Sequence, residues 1–185
     1  TVLYFATMSW NPGQASSSST YILGANGWEK QTVSPSPGGY LDTGFVYDSA
    51  RKESVLFTGQ ETWVWKSNAW TQKQPAASPS LDFGQFGMAY DAARQVVVVY
   101  GRGETWTWNG SNWTKLSPAK SPDTPERGFF AFGYDAKRQV VVLYGGEVTV
   151  NQDTHEMGYL NDIWEWNGTT WSLFGGTGIR DWDVR

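Results

Sequence analysis

The chain has 185 residues, a formal net charge of −4 and no cysteine, so neither disulfides nor thiolate metal sites contribute to its fold. Only 14 residues are basic and they form no run along the sequence, so we expect no nucleic acid partner. No apolar stretch reaches the roughly 20 residues that a membrane helix requires, so we expect no membrane insertion.

A repeat organises the predicted elements. A Tyr-Asp pair recurs at residues 47–48, 90–91 and 134–135, at intervals of 43 and 44 residues. Each pair is followed by a turn, a β-branched run that ends in Phe or Tyr, and a Trp-x-Trp hairpin closed by another Trp five residues later. This period is about that of one β-propeller blade, so the sequence predicts an all-β propeller in a single domain, residues 1–185.

In chain order, residues 1–33 form a partial first blade. Two segments match the repeat there, residues 2–4 and residues 21–23, and Trp28 follows the second of them, while the first strand of the blade is missing. Complete copies follow, and residues 175–185 are predicted as a strand that closes the ring. The predicted bounds of the complete copies are 43–75 for blade 2, 86–118 for blade 3 and 128–174 for blade 4.

Blade 4 illustrates how one copy becomes four strands. Aromatic residues alternate with smaller ones over residues 130–134, as in a strand with two packed faces. Residues 135–138 supply a turn, and the continuously apolar run 140–144 predicts a central strand that is covered on both faces. Asn167 and Gly168 tolerate the positive φ of a tight hairpin between the last two strands. Four antiparallel strands therefore make up the blade.

Three runs carry a family resemblance: an aromatic residue before Tyr-Asp, Val-Val-Leu-Tyr-Gly-Gly at 141–146, and Asn-Asp-Ile-Trp-Glu-Trp-Asn-Gly-Thr-Thr-Trp at 161–171. Together they resemble the kelch repeat of bacterial and galactose-oxidase-type propellers over nearly the whole chain. The resemblance implies kelch-like four-stranded antiparallel blades, although blades 2 and 3 lack the paired glycines and only Arg127 matches the Arg that opens the first strand. Function does not follow, because propellers host enzymes, lectins and scaffolds alike. The single histidine and the absence of cysteine exclude an oxidase copper centre.

The number of blades leaves two architectures open. Three complete copies and a partial one fit either a closed four-bladed ring or half of a larger ring, for which two copies with eight blades are the dimeric version. Trp182 and Asp183 echo the Tyr-Asp pair, so in the closed ring the C-terminal strand would complete blade 1 and leave no unpaired edge.

Two enlarged loops form the predicted binding region, because loops that join second to third strands emerge on the face where propellers usually bind. They span residues 6–20, with Trp10, and residues 147–160, with His155. His155 lies near Asp153 and Asn151, but we predict a polar loop rather than a cation site, since hard cations require six or more oxygen ligands. The candidate ligand contacts are Trp10, Arg102, Arg127, Glu147 and His155.

The remaining polar and aromatic residues of the repeat are predicted to be structural. The Trp-x-Trp pairs recur in every complete blade, which favours packing between blades over sugar stacking. The same repeat position, two residues before the first Trp of each pair, is occupied by Glu61, Glu104 and Asp162. This recurrence favours a repeated hydrogen bond over catalysis. The Asp of each Tyr-Asp pair is expected to cap a turn. We therefore predict no catalytic residue, no metal and no cofactor.

Three functions remain open. The first is a non-catalytic module that presents its loops to a protein or glycan partner, in an extracellular or cell-surface location that the sequons at Asn109, Asn112 and Asn167 favour. The second is a structural subunit that self-assembles, as a homodimer or a higher assembly, to complete a larger propeller or an extracellular assembly. The third is a fragment of a glycan-acting propeller enzyme.

Overall fold

The computed structural model describes residues 3–7, 18–39, 43–81, 85–122, 127–151, 153, 156–176 and 179–180, and within these ranges every regular element is a β-strand. The strands form four antiparallel sheets that follow one another along the chain. No helix of the described residues has the length and hydropathy needed to cross a membrane. The predicted all-β architecture of consecutive antiparallel blades is confirmed.

The strands of the four blades have the following bounds. Blade 1 contains β1 (Leu3–Thr7), β2 (Ser18–Gly24) and β3 (Gly27–Gln31). Blade 2 contains β4 (Gly44–Asp48), β5 (Glu53–Phe57), β6 (Thr62–Lys66) and β7 (Ala69–Lys73). Blade 3 contains β8 (Phe86–Asp91), β9 (Val96–Gly101), β10 (Glu104–Trp108) and β11 (Trp113–Leu116). Blade 4 contains β12 (Ala131–Asp135), β13 (Val140–Asn151), β14 (Glu156–Trp166) and β15 (Trp171–Gly175), with β16 (Ile179–Arg180) beside β14.

Strand register defines which residues of different blades are equivalent. Phe5 pairs with Thr20 in blade 1 as Phe57 pairs with Thr62 in blade 2. Residues 3–5 are therefore equivalent to residues 55–57, one residue later than the predicted segment 2–4. The three described strands of blade 1 correspond to the second, third and fourth strands of the other blades.

The sheets of blades 2 and 3 are packed on both faces. In blades 2 to 4 the front face carries the Trp-x-Trp pair and packs on the preceding blade, and the back faces of blades 1 to 3 pack on the following blade. At the junction of blades 2 and 3, Trp106 and Trp108 of blade 3 share a buried cluster with Val55 and Phe57 of blade 2. Equivalent clusters join blade 1 to blade 2 and blade 3 to blade 4. The first strands β4, β8 and β12 lie side by side, so the sheets are arranged as neighbouring wedges.

A buried hydrogen bond crosses each of these three junctions. The last Trp of one blade donates its indole N–H to a threonine hydroxyl of the preceding blade. The pairs are Trp70 with Thr20 at 2.8 Å, Trp113 with Thr62 at 2.8 Å and Trp171 with Thr105 at 2.9 Å. Each bond satisfies two buried polar groups and fixes how adjacent blades sit on one another. The predicted packing of the Trp-x-Trp pairs between blades is confirmed by the buried clusters that contain them.

The Tyr-Asp pairs also join the blades. Asp48 Oδ1 accepts the backbone N–H groups of Ala50 and Arg51, both at 3.0 Å, and so caps its turn as predicted. Arg51 Nη1 donates to Asp48 Oδ2 at 2.7 Å and to the carbonyl of Gln95 in blade 3 at 2.8 Å. The hydroxyl of Tyr90 in blade 3 accepts the N–H of Ala50 at 3.2 Å. The arrangement recurs one blade later with Asp91, Ala93, Arg94, Tyr134 and Gln139.

Asp91→Asn is expected to lower the free energy of unfolding by about 1–3 kcal/mol, because a fully buried carboxylate loses its charged hydrogen bond with Arg94. Asp135→Asn is the matched control. Asp135 occupies the same turn position in blade 4, but its side chain is 32% exposed, so a smaller loss is expected. Equilibrium urea unfolding of both variants measures the difference, and equal losses would contradict the role of burial between blades.

Residues 147–151 and 156–160 of the insertion are strands rather than the predicted loop. β13 continues to Asn151 and β14 begins at Glu156, so the insertion lengthens the second and third strands of blade 4. A bulge interrupts their register after Tyr144. The bulge contains Gly145 (φ 64°) and Gly146 (φ 102°), whose left-handed backbone glycine adopts without a steric penalty.

The C-terminal segment is described in part. Ile179 and Arg180 pair with Leu160 and Tyr159, so β16 extends blade 4. Residues 181–185, on which the predicted completion of blade 1 depends, lie outside the described residues.

Candidate functional site

The carboxylates that precede the Trp-x-Trp pairs hold the tryptophans in place. Each accepts the indole N–H of the first Trp of its pair. The bonds are Trp63 to Glu61 at 2.9 Å, Trp106 to Glu104 at 2.8 Å and Trp164 to Asp162 at 2.6 Å. The predicted repeated hydrogen bond is therefore confirmed, and these carboxylates serve the fold.

The structure places Arg127, one of the candidate ligand contacts, inside blade 4. The side chains of Arg127 and Asp162 are only 2% and 9% exposed. Nη1 and Nη2 of Arg127 each donate to one carboxylate oxygen of Asp162 at 2.7 Å, and Nη1 also donates to the carbonyl of Gly145 at 2.7 Å. This bidentate ion pair ties the segment before β12 to β14. Its guanidinium thus holds blade 4 together from within.

Asp162 and Glu104 are both held in the ionised form. Burial raises the pKa of each carboxyl, but the hydrogen bonds from Arg127 to Asp162 and from Lys115 to Glu104 outweigh it, so both pKa values lie below the usual range. The general acid of a glycoside hydrolase needs the opposite shift, a raised pKa. These two carboxylates are therefore unsuited to protonating a leaving group.

The other candidate contacts belong to different parts of the chain. Arg102 is exposed in the turn between β9 and β10 of blade 3. Glu147 is half-buried in β13, where its backbone forms two hydrogen bonds of 2.9 Å with Gly128. Trp10 and His155 lie outside the described residues. Among the residues that the structure describes, no three His, Asp or Glu side chains form a group that could hold a metal ion.

The back face of blade 4 is exposed, unlike the back faces of blades 2 and 3. Phe57 and Tyr100 occupy one position of this face and are fully buried. Each ring packs on the last Trp of the following blade, with centroids 5.1 Å apart for Phe57 and Trp113 and 5.4 Å apart for Tyr100 and Trp171. Tyr144 occupies the same position in blade 4 and is 50% exposed. A surface that forms a buried junction elsewhere in the chain is open in blade 4.

The exposed face continues along the lengthened strands β13 and β14. Residues of β14 alternate between the two sides of the sheet, and Met157 (41% exposed) and Tyr159 (47% exposed) lie on the same side as Ile163. We call this surface the open face of blade 4 and define it by Val142, Tyr144, Met157, Tyr159 and Ile163. Glu147 and Thr149 pair with Tyr159 and Met157 on the same side of the sheet, so polar side chains lie among the exposed apolar ones, as they do at many protein interfaces.

Charged side chains border the open face next to Val142. Arg138 Nε donates to Asp135 Oδ2 at 2.7 Å, and its Nη1 donates to Glu165. Glu165 pairs across the sheet with Val142, so this ion pair adjoins the apolar residues. Phe174, 67% exposed, lies 5.5 Å from the Arg138 guanidinium. An apolar centre with a polar rim is the usual anatomy of a protein interface.

A surface cavity of about 470 Å³ lies where the segment leading into blade 4 meets β15. Its lining consists of Ala119, Lys120, Ser121, Trp164, Ser172 and Leu173. Trp164 is only 8% exposed and its indole N–H is bonded to Asp162. The cavity therefore offers little aromatic surface on which a sugar ring could stack.

No family model matches this chain, and no curated protein matches its sequence. Solved structures are similar to it. YjhT aligns with a TM-score of 0.59 at 13% identity, over 96% of this chain and 76% of that one. A chain of a nidogen/laminin complex aligns with a TM-score of 0.54 at 11% identity, over 96% of this chain and 64% of that one. YjhT is a kelch-type propeller and the other is a YWTD propeller, so the likeness shows the β-propeller fold without selecting the repeat type.

Proposed function

We propose that the chain is a non-catalytic, kelch-like β-propeller module that binds a protein partner through the open face of blade 4. One observation carries this proposal: Tyr144 is half exposed at the position where Phe57 and Tyr100 are fully buried. Removing an apolar sheet face from water is favourable, which gives a partner of matching shape a driving force for binding.

A protein fits this face better than a glycan does. The open face is a sheet surface with tyrosine, methionine and aliphatic side chains beside the Arg138–Glu165 ion pair, which is the composition of a protein interface. Sugar binding by stacking needs exposed aromatic planes, and the open face offers only its half-exposed tyrosines, because the Trp-x-Trp pairs of blades 2 to 4 are buried. The glycan partner that the sequence also left open has less support.

The proposal includes an extracellular or cell-surface location. Asn109, Asn112 and Asn167 of the three sequons are exposed at hairpin turns, where a glycan can be attached without disturbing the blades. Fractionation of the cells that make the protein tests the location, and recovery with the cytoplasmic proteins would contradict it.

A photo-reactive amino acid at position 144 tests partner binding. After irradiation in the cells that make the protein, we expect adducts with a defined polypeptide, identified by mass spectrometry of the cross-linked peptides. The matched control places the same amino acid at position 114, where Thr114 is exposed on β11 of blade 3. We expect no specific adduct there. Equal adduct patterns at the two positions, or adducts with glycans alone, would overturn the proposal.

A further inference from the structure

We infer that Asn26 is a site of spontaneous deamidation in the folded chain, and that the fold protects the two other Asn-Gly pairs from the same reaction. Each of the three pairs lies in the hairpin between the last two strands of a blade. The pairs are Asn26-Gly27, Asn109-Gly110 and Asn167-Gly168. The inference does not depend on the proposed function, because none of these residues belongs to the open face of blade 4.

An Asn-Gly pair is chemically reactive because glycine has no side chain to block the approach of its own backbone nitrogen. That nitrogen loses its proton to hydroxide and attacks the side-chain Cγ of the asparagine. The new N–Cγ bond closes a succinimide ring, while the Cγ–Nδ2 bond breaks and the nitrogen takes up a proton from water to leave as ammonia. Water then opens one of the two ring C–N bonds and leaves aspartate or isoaspartate. The attack requires the carboxamide to turn towards the following backbone nitrogen.

The side chains of Asn109 and Asn167 are anchored in their turns. Oδ1 of Asn109 accepts three hydrogen bonds of 2.9 Å, from the backbone N–H and the hydroxyl of Ser111 and from the N–H of Asn112. Oδ1 of Asn167 accepts the equivalent bonds at 2.9, 2.9 and 3.0 Å, from Thr169 and Thr170. Turning either carboxamide breaks these bonds, which raises the barrier to attack.

The glycines of the same two pairs are covered by arginines of the preceding blade. A Cβ placed on Gly110 would collide with the side chain of Arg51, and one placed on Gly168 would collide with that of Arg94. Each arginine is itself held in position, because it donates to the aspartate of its own turn and to a backbone carbonyl of the next blade. Both turns are therefore packed against a neighbouring blade, which resists their rearrangement.

Asn26 has neither form of protection. Its side chain is exposed, and in the part of the chain that the structure describes no hydrogen bond is formed with its carboxamide. The residues two and three positions later, Trp28 and Glu29, already pair with β2 as part of β3, and neither carries a hydroxyl. Apart from its chain neighbours, no described atom lies within 4 Å of the Cβ position of Gly27. Attack on Asn26 therefore meets neither barrier.

The product alters the hairpin of blade 1. Aspartate or isoaspartate at position 26 adds a negative charge to a turn in which the Glu29 carboxylate already lies against Gly24. Isoaspartate also lengthens the main chain by a methylene group between β2 and β3, beside the pairing of Gly24 with Gly27. The modification thus changes both the charge and the backbone of this turn.

Peptide mapping by mass spectrometry tests the inference. The chain is produced in bacteria that attach no glycan, since Asn109 and Asn167 belong to sequons and a glycan would block the reaction there. It is incubated at mildly alkaline pH, folded and, in parallel, unfolded in guanidinium chloride. In the folded chain we expect Asn26 to deamidate at least roughly tenfold faster than Asn109 and Asn167, because their hydrogen bonds must first break. We expect this difference to disappear in the unfolded chain.

Ser111→Ala tests the protection within one molecule. It removes one of the three donors to Asn109, so we expect the rate at Asn109 to rise by roughly two- to tenfold, while Asn167 is the matched control and keeps its rate. Deamidation of Asn26 no faster than of the other two in the folded wild type would overturn the inference. The same ranking in the unfolded chain would overturn it too, because local sequence would then explain the rates. An unchanged rate at Asn109 in Ser111→Ala would contradict protection by the anchored oxygen.

Discussion

Trp113→Ala is expected to lower the free energy of unfolding by about 3–5 kcal/mol, the range for truncating a buried aromatic residue. Trp113 is 3% exposed and packs between Phe57 of the preceding blade and Trp108 of its own, with centroids 5.1 and 5.5 Å away. The substitution leaves a large void and also removes the donor that satisfies the buried hydroxyl of Thr62. Equilibrium urea unfolding followed by far-ultraviolet circular dichroism measures the loss.

Trp28→Ala is the matched control for this prediction. Trp28 occupies the same position in blade 1 but is 50% exposed, so its truncation removes less buried apolar surface than that of Trp113. The loss for Trp28→Ala is expected to stay below about 1.5 kcal/mol. Equal losses for Trp113→Ala and Trp28→Ala would contradict the assignment of Trp113 to a buried junction between blades.

Asp162→Asn is expected to lower the free energy of unfolding by about 3–5 kcal/mol, because it leaves the Arg127 guanidinium buried without its counter-charge. Asparagine keeps the size and one acceptor oxygen of the original side chain, so the loss reports charge rather than packing. Glu104→Gln is the matched control. Glu104 occupies the same position in blade 3, and its partner Lys115 is 52% exposed, so we expect less than about 1 kcal/mol.

The difference in the free energy of unfolding between wild type and Asp162→Asn is expected to depend on pH. Burial raises the pKa of Asp162, but the hydrogen bonds from Arg127 and Trp164 outweigh it, so the folded pKa lies below the ordinary value of 3.8. The unfolded chain then binds more protons in acid, and the stabilisation is complete above 3.8 and lost as the pH falls through the folded pKa. Urea unfolding of both proteins between neutral and acidic pH measures this, and a difference independent of pH would contradict the ionised state of Asp162.

The repeat made most of the fold predictable. Because the Tyr-Asp pairs, the β-branched runs and the Trp-x-Trp hairpins share one period, local strand signals and the long-range arrangement agree. The turn-capping role of Asp48 and the hydrogen bonds of Glu61 and Glu104 followed from the same logic, since a residue that recurs at one position of every blade serves the blade.

What the sequence could not predict depends on contacts between distant residues. Arg127 and Asp162 are 35 residues apart, and only the fold shows that the arginine is buried. Lys52, Gln95 and Gln139 adopt positive φ of 54°, 56° and 56° in the first turn of blades 2, 3 and 4, without the Gly or Asn that usually marks such a position. A signal for the extended strands did exist, because Val148 and Thr149 are β-branched residues that follow the paired glycines of β13.

The open face of blade 4 is the feature that sequence comparison within the chain concealed. Tyr144 is equivalent to Phe57 and Tyr100, so its position in the repeat assigns it to packing between blades. Phe57 and Tyr100 are buried because a following blade packs on them, and no described blade packs on Tyr144, so the side chain itself does not determine its exposure. The proposed binding surface thus uses residues at the same repeat positions as the internal junctions, whereas the sequence directed attention to the loops around Trp10 and His155.

A double-mutant cycle across one junction tests most directly whether successive repeats pack front to back. The cycle combines Thr105→Val in blade 3 with Trp171→Phe in blade 4, two residues that are 66 positions apart and joined by a hydrogen bond of 2.9 Å. We expect a coupling free energy of about 0.5–1.5 kcal/mol from urea unfolding. The parallel cycle with Thr107→Val, on the same strand as Thr105, is expected to give a coupling near zero. Absence of coupling between Thr105 and Trp171 would contradict the packing of consecutive blades on which the proposed interface depends.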